Sequence, residues 1–213
     1  MKRLTLPLLF IVVLATAGLA LAQTDAGPAA ADAAPQARIV HAAPFAAAVD
    51  DTAVSILVDD VEVVSDFKYA DFTDYVPLAD AGSINVKVKL GDTVVIEETL
   101  AVAEDTDYTV AAVGDGGSQP LELWVLEDNN APPAAGNAHL RIAHAAPFGS
   151  SAAATAVDVC TQDGSLVNGL SNVPYKVESG LFPLPVGTYD LRIAAHDAGT
   201  PCAGATIIDP LPV

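Results

Sequence analysis

The sequence has 213 residues, with 27 acidic side chains against 9 basic ones, a formal net charge of −18 at pH 7, and 52% hydrophobic residues. This length is enough for two domains of ordinary size, each with its own core. So negative a surface argues against nucleic acid and anionic membranes as partners. Calcium is the cation such a surface could attract, but the loop signature D-x-[DN]-x-[DN]-G with a closing Glu is absent.

The chain begins with the pattern of a cleaved export signal. Lys2 and Arg3 precede an apolar run over 4–14, and the small residues of 20–22 read Ala-Leu-Ala. A retained membrane anchor is the alternative, but the apolar run is short for a spanning helix. No later segment is apolar enough to span a bilayer. We therefore predict a secreted, periplasmic or cell-surface protein whose Ala-, Pro- and Asp-rich residues 23–36 form a flexible tether.

An internal repeat organises the rest of the chain. The eight residues RIVHAAPF at 38–45 return as RIAHAAPF at 141–148, and looser matches follow at a similar offset. An offset of about a hundred residues is the size of a domain rather than of a short solenoid repeat. The sequence therefore predicts two tandem copies of one module.

The first copy has the pattern of short antiparallel strands. Segments 53–58, 84–90, 93–96 and 108–113 are rich in β-branched residues and are separated by Gly and Asp at hairpin spacing. Ile84, Val86 and Val88 alternate with polar residues, which predicts a strand with one buried and one wet face. Seven or eight such strands predict an all-β fold, with each copy an antiparallel β-sandwich of immunoglobulin-like or prealbumin-like build.

The proline-rich, polar stretch 128–137 separates the two copies. By the repeat offset, the second copy should need two more strands after Leu211, so we expect that copy to be naturally shorter or the sequence to be a fragment. The predicted boundaries are 1–22 for the signal peptide, 23–36 for the tether, 37–127 for the first domain, 128–137 for the linker and 138–213 for the second domain.

The two cysteines, Cys160 and Cys202, both lie in the second copy. In an exported chain two cysteines most simply form one disulfide, which here would close a loop of about 40 residues and add about 3–4 kcal/mol. Two free thiols or half of a metal site is the alternative.

The histidines that head the repeated motif are the residues most open to a chemical role. His41 and His144 could bind a metal or act as bases with Asp50 or Asp158. They could instead end a strand and hydrogen-bond the loop that the following proline stiffens. Because a turn must persist in both copies of a repeat, we favour a structural role for the motif residues Arg38, His41, Pro44, Arg141, His144 and Pro147.

No other pattern in the sequence indicates catalysis or a cofactor. There is no G-x-S-x-G, H-E-x-x-H, paired C-x-x-C or phosphate-binding glycine loop. The single tryptophan, Trp124, lies in an alternating strand and favours core packing over a sugar-stacking surface. Tyr69 and Tyr175 take matching places in the two copies and are interpreted as repeated sandwich contacts.

The RIVHAAPF motif, Phe67-Lys68-Tyr69, Tyr75-Val76-Pro77-Leu78 and the strand 107–113 together resemble a known family, the exported domain of unknown function 4397. The second copy resembles it through RIAHAAPF, Val173-Pro174-Tyr175 and the segment 184–192. This resemblance implies a tandem β-sandwich of the cell exterior and carries no catalytic residues.

These features favour a non-enzymatic exported module that needs no cofactor and interacts with an envelope protein or a polysaccharide. Two alternatives remain open: a metal-binding protein or metal-dependent hydrolase that uses His41 and His144 with nearby acids, and a carbohydrate-binding module. The sequence leaves any metal site unknown, and it names no partner.

Overall fold

The computed structural model describes residues 11–16, 34–79 and 81–213, and for residues 11–16 it describes the backbone alone. Most of the predicted signal peptide and tether therefore lie outside the described residues. Residues Ile11–Thr16, which lie within the predicted signal peptide, form a strand, β1. The described chain divides into two compact units, a first unit of residues 34–130 and a second unit of residues 11–16 and 131–213.

The first unit is a sandwich of two four-stranded sheets. Its strands are β2 (Gln36–His41), β3 (Val54–Val58), β4 (Val61–Phe67), β5 (Val76–Pro77), β6 (Gly82–Leu90), β7 (Thr93–Val102), β8 (Asp107–Val113) and β9 (Glu122–Asp128). The strand order is β5-β2-β8-β9 in one sheet and β4-β3-β6-β7 in the other. A short 3-10 turn, Val49–Thr52, links β2 to β3.

Neighbouring strands of the first unit pair antiparallel, except that β2 runs parallel to β8. The hairpin between β8 and β9 turns at Gly114, whose φ is +103°. A Cβ at that position would lie 2.0 Å from the carbonyl oxygen of Pro120, so only glycine fits there.

The core of the first unit lies between its two sheets. Ile84, Val86 and Val88 on β6 are buried, and the polar residues between them are half-buried. Opposite them, β8 turns Tyr108, Val110 and Ala112 into the same cluster. This alternation is the one that the sequence predicts, because successive side chains of a strand point to opposite faces of the sheet.

The second unit has its own core between a four-stranded and a three-stranded sheet. Its remaining strands are β10 (Asn137–His144), β11 (Val157–Thr161), β12 (Val177–Glu178), β13 (Phe182–Pro185), β14 (Asp190–Ala195) and β15 (Thr206–Pro212), with a 3-10 turn at Ala153–Thr155. One sheet has β10 paired with β1, β12 and β13, and the other has the order β11-β14-β15. Buried residues of both sheets, among them Leu140, Val159 and Ile193, form one cluster.

Strand β1 takes the place beside β10 that β8 takes beside β2. Six residues pair antiparallel, from Ile11 opposite His144 to Thr16 opposite His139. In the first unit the same edge of β2 pairs with β8, in parallel, over six residues. The strand beside β10 thus precedes it in the chain and runs antiparallel, whereas the strand beside β2 follows it and runs parallel.

These sheets confirm the predicted all-β, sandwich-type fold. Across the described residues no helix has the length and apolar character needed to cross a membrane.

Candidate functional site

His41 lies at the end of β2 and is 1% exposed. The backbone N–H of Ala43 donates to its Nδ1 (3.3 Å), so Nε2 carries the proton and donates to the carbonyl oxygen of Thr52 (3.0 Å). Its ring stacks on Phe45, with the centroids 5.8 Å apart. Burial lowers the pKa of His41 below its usual 6.5. The neutral imidazole ring of His41 therefore connects the end of β2 to the following loop and to the 3-10 turn.

His144 repeats this arrangement in the second unit. Ala146 N–H donates to Nδ1 (3.4 Å), Nε2 lies 2.7 Å from the carbonyl oxygen of Thr155, and the ring stacks on Phe148. Burial lowers the pKa of His144 as well. In both histidines each ring nitrogen already holds a backbone partner, so coordination of a metal would require breaking one of these hydrogen bonds.

The acids proposed as partners of these histidines lie elsewhere. Asp50 pairs with Lys68 (2.9 Å), and Asp158 bonds to His196 rather than to His144. Within 34–79 and 81–213, no three His, Cys, Asp or Glu side chains are grouped so that they could hold a metal ion. The prolines of the motif, Pro44 and Pro147, are half-buried in the loops after β2 and β10.

Arg38 belongs to a polar cluster on the outer face of the first sheet. Its guanidinium donates to Thr109 Oγ1 (3.0 and 3.1 Å) and to Asp128 Oδ2 (3.3 Å), and it lies 5.0 Å from the ring centre of Tyr75. The hydroxyls of Thr109 (2.6 Å) and Tyr75 (2.7 Å) donate to the same carboxylate oxygen. Burial, reinforced by the bond to Asp128, raises the pKa of Tyr75. Arg141 has a carboxylate neighbour too, since its Nε lies 3.5 Å from Glu178.

Asp158 is the most enclosed acid of the second unit, with a side chain that is 0% exposed. Oδ1 accepts hydrogen bonds from Ser171 Oγ (2.8 Å), Asn172 N (2.9 Å) and His196 Nδ1 (2.9 Å), and Oδ2 accepts one from Cys202 N (3.0 Å). Burial alone would raise the pKa of Asp158, but these bonds outweigh it and the pKa is lowered. The serine points at the carboxylate rather than at the histidine, which is not the arrangement of a nucleophile activated by a base.

The predicted disulfide is confirmed: Cys160 on β11 is bonded to Cys202 in the loop before β15. The bridge lies beside the Asp158 cluster, because Cys202 supplies both its sulfur to Cys160 and its N–H to Asp158. The two features together hold the loop after β14 against β11.

Trp124 is half-buried on β9, opposite Ala111 of β8. Of the aromatic side chains, Phe72 is 72% exposed and Phe148 is 41% exposed, and the two belong to different units. An extended row of exposed aromatic rings, which a sugar-stacking platform would use, is not formed by Trp124, Phe72 and Phe148.

A cavity of about 310 Å³ lies between the two sheets of the first unit. All eight strands line it, and of the lining residues that the structure describes only Asp59 is charged. The inward side chains are mostly valine and alanine, for example Ala37, Val86 and Ala112, and such small residues leave space between sheets that stand about 10 Å apart. Sequence reasoning missed this cavity, and the only signal for it is the shortage of large side chains at inward positions.

A hydrogen bond links the two sheets along one edge of the sandwich, where the lining residue Val125 is 36% exposed, and more strongly exposed residues line the cavity along the other edge. On β7, Glu98 accepts a hydrogen bond from the backbone N–H of Leu123 on β9 (3.1 Å), which links the two sheets. At the β4–β5 edge the lining residues Val61, Val63 and Pro77 are exposed, Val61 to 65%. We call this edge the mouth of the cavity.

The fold and the cavity define a class: a β-sandwich protein whose first unit encloses an apolar space of small-molecule size. Residues 35–151 match the family model of a domain of unknown function (DUF4397), and the chain belongs to that family. No curated protein and no solved structure matches the chain.

Proposed function

We propose that this protein is a non-enzymatic, exported binding module that holds a small apolar molecule between the sheets of its first unit. The cavity of about 310 Å³ is the observation that carries the proposal. Ligand pockets usually measure about 300–1,000 Å³ and are mostly apolar with few polar groups. The lining, in which Asp59 and Tyr108 are the residues with polar side-chain groups, has this composition.

Packing energetics support occupancy of the cavity. At about 24 cal/mol per Å³, a fully enclosed and empty cavity of this volume would cost roughly 7 kcal/mol, and the open mouth makes this an upper limit. An apolar molecule that restores the missing contacts would recover much of this free energy. The packing of the unit therefore supports a binding role.

The place of action that we propose is the cell surface or the periplasm. Lys2, Arg3, the apolar run and the Ala-Leu-Ala at 20–22 support export, and the Cys160–Cys202 disulfide suits an oxidising compartment. We also propose that the second unit is a second copy of the family domain, since His144 repeats the hydrogen bonds of His41. An envelope protein or a polysaccharide is the partner class that an exported module would meet.

The test is to purify the protein from the exported fraction, extract it with organic solvent, and identify bound compounds by mass spectrometry. A compound recovered in near-stoichiometric amount from the parent protein, and lost in Ala112→Phe, supports the proposal, because Ala112 lines the cavity. The matched control is Ala101→Phe, an exposed position on β7 outside the lining. Equal recovery from all three proteins would overturn the proposal.

The same preparation tests the metal alternative. Both histidines already bond to backbone groups, so we expect no stoichiometric zinc or calcium by elemental analysis. Turnover of a substrate that is lost in His41→Ala would contradict the non-enzymatic assignment.

A further inference from the structure

The shape of the cavity limits what it can hold, and this inference rests on the proposed binding function. Four strands side by side span about 14 Å at the usual strand spacing. A volume of about 310 Å³ spread over that width has a mean cross-section of roughly 22 Å². One extended polymethylene chain fits such a long, narrow space. The volume is also roughly twice that of an engineered cavity that binds benzene.

The charges at the mouth limit the head group of the ligand. Asp59 is exposed at the turn between β3 and β4, its carboxylate accepts the backbone N–H of Asn85 (2.8 Å), and it is part of the lining. Asp60 follows it and pairs with Lys87 (2.5 Å), and Glu62 is exposed between the two mouth valines. Of these carboxylates only Asp59 is part of the lining, because Glu62 alternates with Val61 and Val63 along β4 and Asp60 pairs with Lys87 on the outer face of β6. A carboxylate head group would be repelled there, and a cationic head group would be attracted.

We propose that the first unit binds a single unbranched hydrocarbon chain that carries an uncharged or cationic head group. The chain lies between the sheets, and the head group stays at the mouth near Asp59. Entry is through the β4–β5 edge, because the Glu98–Leu123 hydrogen bond ties the sheets together along the β7–β9 edge. Such a chain can come from a membrane lipid or from a free amphiphile, and both sources share this chemistry.

Four soluble probes separate these features: decanol, decyltrimethylammonium and decanoate share one chain and differ in charge, and adamantanol is an apolar cage. Binding to the full exported protein is followed through the fluorescence of Trp124, since its neighbours Leu123 and Val125 line the cavity. We expect decanol and decyltrimethylammonium to bind at least tenfold more tightly than decanoate, and adamantanol more weakly than decanol. A lysophospholipid that competes with decanol indicates a lipid source, and its failure to compete indicates a free amphiphile.

Two variants test the assignment of residues. Asp59→Asn keeps the Oδ1 acceptor for Asn85 and suits the positive φ of 48° at this turn, so it removes charge with little structural change. It should strengthen decanoate binding several-fold and leave decanol binding unchanged. Ala112→Phe should abolish binding of every chain, and Ala101→Phe should not. Ala37→Leu, a smaller filling change in the same lining, serves if the phenylalanine variant does not fold.

The outcomes separate this inference from the proposed function. Decanoate binding as tightly as decanol, or adamantanol binding more tightly, overturns the ligand class while leaving a cavity that binds small molecules. No binding of any probe, together with an extracted molecule that Ala112→Phe removes, also overturns only the class. No probe binding and no extracted molecule overturn both proposals.

Discussion

The replacement His41→Ala should destabilise the first unit strongly. Substitutions near loops usually have small effects, but this side chain is buried and bonded to two backbone groups. The change removes the ring acceptor of Ala43 N–H and the ring donor to the Thr52 carbonyl. Ala43 and Thr52 are each 1% exposed, so water does not readily replace the ring. A buried polar group left without a partner costs about 1–3 kcal/mol.

Two such groups, together with the lost stacking on Phe45, lead us to expect a loss of about 3–5 kcal/mol in the free energy of unfolding. Urea unfolding followed by the fluorescence of Trp124 measures this loss, because the single tryptophan lies in the first unit. His139→Ala is the control: that half-buried ring heads no loop, and its removal should leave the Trp124 transition unchanged. A loss below about 0.5 kcal/mol in His41→Ala would refute the reasoning, since that is the range of ordinary surface substitutions.

The buried histidines also predict that stability depends on pH. Burial lowers the folded-state pKa of His41 and His144 below 6.5. The stability that the neutral rings contribute is therefore complete above pH 6.5 and falls as the pH drops below that value. Urea midpoints at pH 7.5 and 5.5 should differ, each histidine contributing at most about 1.4 kcal/mol per pH unit, and a flat profile would contradict this. The Cys160–Cys202 disulfide closes a loop with a sequence separation of 42 residues, and its reduction should lower the free energy of unfolding of the second unit by about 4 kcal/mol. Calorimetry with and without reductant measures this change. An unchanged midpoint would mean that packing alone holds this loop. Asp158→Asn replaces one of the two carboxylate oxygens that accept hydrogen bonds, and should lower the free energy of unfolding of the second unit by about 2–4 kcal/mol. Unfolding followed by circular dichroism measures this loss, and an equally stable variant would show that the carboxylate is dispensable.

Local patterns in the sequence are enough to predict the class of fold. The alternation at Ile84, Val86 and Val88 defines a buried face because a strand has a side-chain period of two, whatever the strand packs against. The pair Cys160 and Cys202 could be assigned because the chain has two cysteines and so one possible bridge. These inferences depend on the residues next to one another in the sequence or on the number of cysteines, and they require no knowledge of which distant residues meet in the fold.

The candidate site could not be predicted in this way. Arg38 meets Thr109 and Asp128 across 71 and 90 residues of sequence, and Asp158 meets His196 across 38, so no local pattern marks either cluster. The hypothesis that Asp158 serves His144 failed because nearness along the chain does not decide which side chain fills a buried polar site.

By itself the sequence determined an all-β chain with a duplicated His-Ala-Ala-Pro-Phe motif, a strongly acidic surface and one possible disulfide. Only the tertiary structure decided that β2 runs parallel to β8, that β1 lies beside β10, and that the first unit encloses a cavity. Strand partners are chosen by the packing of whole sheets, over separations that no local propensity reaches. The cavity is a small difference between the volume that two sheets enclose and the volume that their side chains fill, and that difference exists only once the sheets are in place.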